Sequence, residues 1–144
     1  MFSKTCEYAF RAKVVVALAS KNGERLTLTD IAQRTGAPKA FTAKVLQALA
    51  RGGIVNSQRG PNGGFDLPPL QAKKVNLRMI MDAIGEEAFH TGCAMGLKEC
   101  NGIDPCPLHA QITKVKEEMH RILEVTDVHS LAEGLNNGTT RLKI

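Results

Sequence analysis

"LTDIAQRTGAPKAFTAKVLQALARGGIVNSQRGPNGGFDL", residues 28 to 67, decides the fold. Its first part, taken with Thr27, carries the marks of a short helix: Thr27 as N-cap, Asp30 three residues on, Ile31 and Ala32 facing inward, and Gly36 as the stop. A tight turn follows. Pro38 then stands at a first helical position, and Phe41, Val45, Ala48 and Leu49 share one face of a second helix that stops at Gly52 and Gly53. Lys39, Thr42, Ala43, Lys44 and Gln47 lie largely off that face. Two short helices across a tight turn form a helix-turn-helix, whose second helix can lie in a major groove with its N-terminal residues at base edges. The candidate contacts on that helix are Lys39, Ala40, Thr42, Ala43, Lys44 and Gln47.

The end of the same stretch offers two strand-like runs, Ile54 to Gln58 and Gly64 to Leu67, around the turn "RGPNG". This is the pattern of a wing. Gly60, Pro61, Asn62 and Gly63 make its tip and leave Arg59 exposed beside it. An arginine on a narrow protrusion can enter a minor groove and touch phosphates, so Arg59 and Pro61 join the candidate DNA contacts.

Upstream, "SKTCEYAFRAKVVVALAS" (residues 3 to 20) predicts a helix with Tyr8, Val15 and Leu18 on a broad apolar face, closed near Gly23. Downstream, "VNLRMIMDAIGEE" predicts a helix with Leu77, Ile80, Met81 and Ile84 at helical spacing, packed beneath the wing. No periodicity runs from Glu87 to Pro105, and a structureless loop of that length is uncommon in a compact protein unless it serves a function. Asp104 as N-cap and Pro105 then open a long helix, "CPLHAQITKVKEEMHRILEV". Its residues Leu108, Ile112, Val115, Met119 and Ile122 repeat at four and three, a heptad seam that favours a homodimer over burial within one chain. A twofold dimer suits a palindromic site on double-stranded DNA. A last short helix is expected around Asp127 to Leu135.

The expected architecture is mainly α with a small β-hairpin wing: a winged helix-turn-helix DNA-binding region at 1–74, then a cysteine-loop sensor and long dimerisation helix at 75–144. Charge divides the same way. Residues 1–74 carry a net +8 and residues 75–144 a net −3, so the N-terminal half suits a polyphosphate partner. The run Val14 to Ala19 is too short for a membrane span and lacks a cleavage site, so a soluble, cytoplasmic protein is expected. No phosphate-binding glycine loop, nucleophile elbow or zinc-protease helix motif is present, which leaves a catalytic role with little support.

The cysteine stretch "CAMGLKECNGIDPCPLH", residues 93 to 109, has the spacing Cys93-x6-Cys100-x5-Cys106-x2-His109. Thiols stay reduced in the cytosol, so such a cluster favours a metal or redox site over a disulfide framework. Cys106 is placed in the first turn of the long helix, where the helix dipole favours a thiolate, with His109 on the same face. Three thiolates and an imidazole suit zinc or an iron–sulfur cluster. The gaps of six and five span a larger object more comfortably than a single zinc ion; free redox-active thiols are the remaining alternative.

With "EYAFRA", the wing "RGPNGGF", the three-cysteine loop and "PCPLH" in place, the chain resembles, nearly end to end, the IscR/NsrR/CymR-type (Rrf-type) family of winged helix-turn-helix regulators. The resemblance implies a homodimeric transcriptional regulator with a cluster on Cys93, Cys100 and Cys106, two-iron favoured and four-iron possible. Its assembly, loss or nitrosylation would change promoter binding, with nitric oxide a possible effector. For the fourth ligand the resemblance implies His109, as in the iron–sulfur biogenesis type. The alternative is Glu7, since the nitric-oxide sensors place an acid there and supply it from the partner subunit. Cys6 is expected to be a helix-face residue. Ala43 stands where the biogenesis type reads bases with an acid, so the operator does not carry over. The family also includes a cysteine-metabolism regulator type, which leaves a cluster-free, partner-binding regulator as the alternative.

Overall fold

A computed structural model describes residues 2–86 and 92–143. Helix α1 (Lys4–Lys21) starts at the N-cap Ser3, whose hydroxyl accepts from the Cys6 amide at 3.1 Å. Its run Val14, Val15, Val16 and Ala17 is buried, as expected of helix core, and α1 packs against the rest of the fold on several sides. Lys13 is buried with them. No salt-bridge partner is near it, and its ammonium donates to the carbonyl oxygen of Ile54.

Helix α2 (Leu28–Thr35) has the local chemistry its sequence announces. The Asp30 amide donates to the Thr27 hydroxyl at 3.2 Å, the Asp30 carboxylate accepts from the Thr27 amide at 2.9 Å, and Gly36 ends the helix. Helix α3 (Lys39–Arg51) begins one residue later than expected, with Pro38 as its N-cap. Val45, Leu46 and Leu49 are buried. Thr42 is a correction: it is 2% exposed, on the inner face, with its hydroxyl donating back to the Pro38 carbonyl at 3.0 Å. A hydroxyl satisfied on its own helix can be buried, so Thr42 does not present itself to DNA.

The wing is β1 (Asn56–Gln58) paired antiparallel with β2 (Gly64–Asp66), Ser57 opposite Phe65. Leu26, just before α2, adds a third backbone pairing: its amide donates to Phe65 O at 3.0 Å and the Phe65 amide to Leu26 O at 2.7 Å. This close approach explains the "GG" of the hairpin. A Cβ at Gly63 would meet Gln58 O at 2.3 Å and one at Gly64, whose φ is +133°, would meet Leu26 O at 2.5 Å.

After the single turn α4 (Pro69–Ala72), helix α5 (Leu77–Ile84) is capped by the Asn76 side chain. It packs against α1, α3 and the next helix rather than beneath the wing, because Ile80 and Met81 turn their apolar face to the helices. Helix α6 runs His109–Val125, so it opens later than expected. Asp104 and Cys106 each precede a proline, which disfavours helical backbone, and Asp104 therefore caps nothing and Cys106 lies before the helix. Instead the Asn101 side chain folds the loop, accepting from the amides of Ile103 and Asp104. Helix α7 (Val128–Asn136) starts at the N-cap Asp127 and lies on α1. Ile80, Val128 and Ala132 share one core with α1, α2 and α3.

Of the heptad seam on α6, Leu108, Val115 and Ile122 are exposed and Ile112 and Met119 half-buried. The one buried residue of this helix, Leu123, packs instead with Cys6 and Met81. No helix among the described residues is long and apolar enough to cross a membrane.

Candidate DNA-binding surface and metal centre

The outer face of α3 and the wing enclose a cleft of about 350 Å³. Ala43, Lys44 and Gln47 line it from the helix, and Ser57, Arg59 and Phe65 from the hairpin. Lys39, Ala40, Lys44 and Gln47 are exposed and Ala43 is half-buried; Arg59 and Pro61 are exposed at the tip. Thr42 alone of the predicted contacts is turned away. Lysine, glutamine and arginine side chains converging on one outward cleft offer donors to phosphates and base edges.

At the other end, the loop before α6 brings the Sγ atoms of Cys93, Cys100 and Cys106 within 4.8 Å of one another. Cys93 and Cys106 are 3.5 Å apart, and Nδ1 of His109 lies 3.3 Å from Cys100 Sγ. Backbone amides point at the sulfurs: the Met95 amide donates to Cys93 Sγ and the Cys106 amide to Cys100 Sγ, both at 3.4 Å. The Leu97 and Met95 amides, with the neighbouring thiols, bring the Cys93 thiol down to about 7. The Cys106 amide favours a thiolate at Cys100, but lost water and the adjacent thiols outweigh it and raise this group. Two thiols with opposite tendencies share one site.

A cavity of about 50 Å³ adjoins the three sulfurs, walled by His109, Ile112, Thr113 and Lys116 from one face of α6. Lys116 donates to Gly92 O at 2.6 Å and so ties the loop across the helix. The seven-residue interval from His109 to Lys116 is two helical turns, a signal present in the sequence but not singled out there. The donor set fits a thiophilic centre: soft sulfurs and an imidazole suit iron–sulfur or zinc chemistry and are poor ligands for hard cations.

Two further residues sort themselves by environment. Cys6 is fully buried and its thiol is pushed up to about 12 by burial, reinforced by Glu86 and Glu7, so it is a packing residue. Glu7 is held below the usual carboxylate range by its hydrogen bond from Lys4 at 2.7 Å, with Arg11 at 3.9 Å.

A helix-turn-helix with a wing, joined to a sulfur-rich cradle at the foot of a long helix, defines a metal-responsive DNA-binding class of protein. The chain belongs to the Rrf2 family, described as iron-dependent transcriptional regulators, whose family model matches residues 2–134. It is a transcriptional regulator, not an enzyme. It is 32% identical over 130 residues to the HTH-type transcriptional regulators IscR of Pectobacterium atrosepticum and of Klebsiella pneumoniae, covering 90% of this chain and 76% of each relative. Its fold is similar to that of CymR, the global cysteine regulator of B. subtilis (TM-score 0.73, 17% identity, 92% of this chain and 96% of that one). It is also similar to that of T. potens IscR (TM-score 0.70, 19% identity, 99% and 93%).

Proposed function

We propose that the protein is a homodimeric regulator whose hold on a palindromic operator is set by an iron–sulfur cluster on Cys93, Cys100, Cys106 and His109. The observation that carries this reading is the convergence of three sulfurs within 4.8 Å, with the His109 imidazole 3.3 Å from one of them. When bound, a cluster supplies redox-active and nitric-oxide-reactive iron. The chain's own residues do the rest. The amides of Met95, Leu97 and Cys106 favour thiolate at the sulfurs, and Lys116 holds the loop against α6. Glu7 is the alternative fourth ligand, reaching from a partner subunit, and would first have to leave Lys4.

The link to DNA runs through packed helices. Helix α6 rests on α5, and α5 on α3, so ordering the loop at the foot of α6 can bias the placement of the recognition helix. The same helix offers a dimer seam: Leu108, Val115 and Ile122 are 45%, 56% and 39% exposed, more apolar surface than a helix leaves open without a partner. On a dimer, Lys39, Lys44, Gln47 and Arg59 of each protomer face one half-site.

A second reading rests on the sulfur spacing. Thiolates about 2.3 Å from a tetrahedral zinc ion lie roughly 3.8 Å apart, close to the separations seen here. Iron, acid-labile sulfide and zinc analysis of oxygen-protected protein decides between them. Brown protein containing iron and sulfide supports the cluster; colourless protein with one zinc per chain supports the alternative.

A further inference from the structure

The segment joining α1 to α2 carries a cation that the DNA-contacting surface does not use. Arg25 turns its guanidinium onto the wing. Its Nε donates to Asp66 Oδ2 at 2.8 Å and one terminal nitrogen to the same oxygen at 2.5 Å. The other donates to Gln58 Oε1 at 2.5 Å and lies 3.4 Å from the carbonyl oxygen of Asn62. One side chain thus grips β2, β1 and the turn between them. The second Asp66 oxygen accepts from Asn56 at 2.7 Å, so the carboxylate is engaged on both sides.

The base of the hairpin is fixed separately by the Leu26–Phe65 backbone pair. Beyond that pair, two strands of three residues form a hairpin too small to hold its own direction. An exposed ion pair alone would add little. A guanidinium fork that meets three partners at once fixes an angle, which a lysine cannot do.

We propose that Arg25 is a positioning residue for DNA binding: clamped to Asp66 and Gln58, it sets the angle of the wing and so presents Arg59, the neighbour of Gln58, to the DNA. Its charge is taken by Asp66, at 16% side-chain exposure, and does not serve a phosphate. The proposal rests on the reading of Arg59 as a DNA contact.

The test uses the tightest duplex that the wild-type protein selects from a random-sequence pool. Arg59→Ala alone tests the underlying reading; if it binds like wild type, the premise fails and the proposal with it. Given a loss there, Arg25→Ala and Asp66→Asn are each expected to weaken binding about tenfold, with the slope against salt unchanged. In the Arg59→Ala background, Arg25→Ala should cost less than about twofold more, because it acts through the side chain already removed. Arg25→Lys carries the same test if the alanine variant does not fold, and should not rescue binding. Wild-type affinity in Arg25→Ala overturns the proposal. So does a salt slope reduced by about one together with undiminished binding by Asp66→Asn, since that combination marks a direct phosphate contact. An equal loss with and without Arg59 overturns it as well.

Discussion

Lys13, fully buried in α1, donates its ammonium hydrogen bond to the carbonyl oxygen of Ile54, where α3 gives way to the wing. Loss of water around it brings its pKa from 10.5 down to about 7. The unfolded chain therefore binds more protons than the folded one between those values, and folding stability rises with pH across that window. From pH 7 to 9 the gain attributable to Lys13 is at most about 2–3 kcal/mol. Chemical denaturation at both pH values should show wild type gaining more than Lys13→Met; equal gains would contradict the assignment.

Arg59 stands exposed at the wing tip beside the cleft that Lys44 and Gln47 line. Arg59→Ala should weaken duplex binding by about tenfold, with the salt slope reduced by about one, and leave the thermal midpoint of the protein unchanged. Thr42→Ser makes the contrasting case. It keeps the internal bond to Pro38, and its buried position means that affinity should change less than about twofold. Fluorescence anisotropy titrations at several salt concentrations measure both.

Val115 is 56% exposed in the middle of the apolar seam of α6. Val115→Glu puts a charge where two copies would meet and should raise the dimer dissociation constant at least about tenfold, by sedimentation velocity, without loss of helix content. Undiminished dimerisation would mean that the seam lies elsewhere.

His109 and Glu7 are separated by their surroundings: one lies against Cys100, the other is engaged by Lys4. Iron retention and visible spectra of His109→Ala should be altered and those of Glu7→Ala preserved. The reverse pattern would move the fourth ligand to α1 and require a dimer-bridging site.

What could be read from residues alone was what chemistry settles locally. The Thr27–Asp30 cap, the glycine stops and the wing turn depend on neighbours within a few residues, and the structure places them as expected. Three features escaped. Thr42 faces inward because its hydroxyl is satisfied on its own helix, which a polar residue type does not reveal. The start of α6 was set too early because the restraint of Pro105 and Pro107 on their predecessors outweighs the capping preference of Asp104. Arg25 with Asp66, and Lys13 with Ile54, are each joined across 41 positions, where only the packed fold brings them together. The thiols were legible as a group by type and spacing; their opposite acid–base tendencies follow from which amides the folded loop aims at each sulfur.

The central relationship is between the state of the sulfur site and the grip on DNA. The most direct measurement is the affinity of oxygen-protected, iron-loaded protein for its selected duplex, before and after the iron is removed by a chelator, at fixed dimer concentration. A change of about tenfold or more, reversed by reconstitution with iron and sulfide and absent in Cys106→Ser, is the expected outcome. Identical affinity of the loaded and stripped forms, with cluster content verified by spectroscopy, would contradict it.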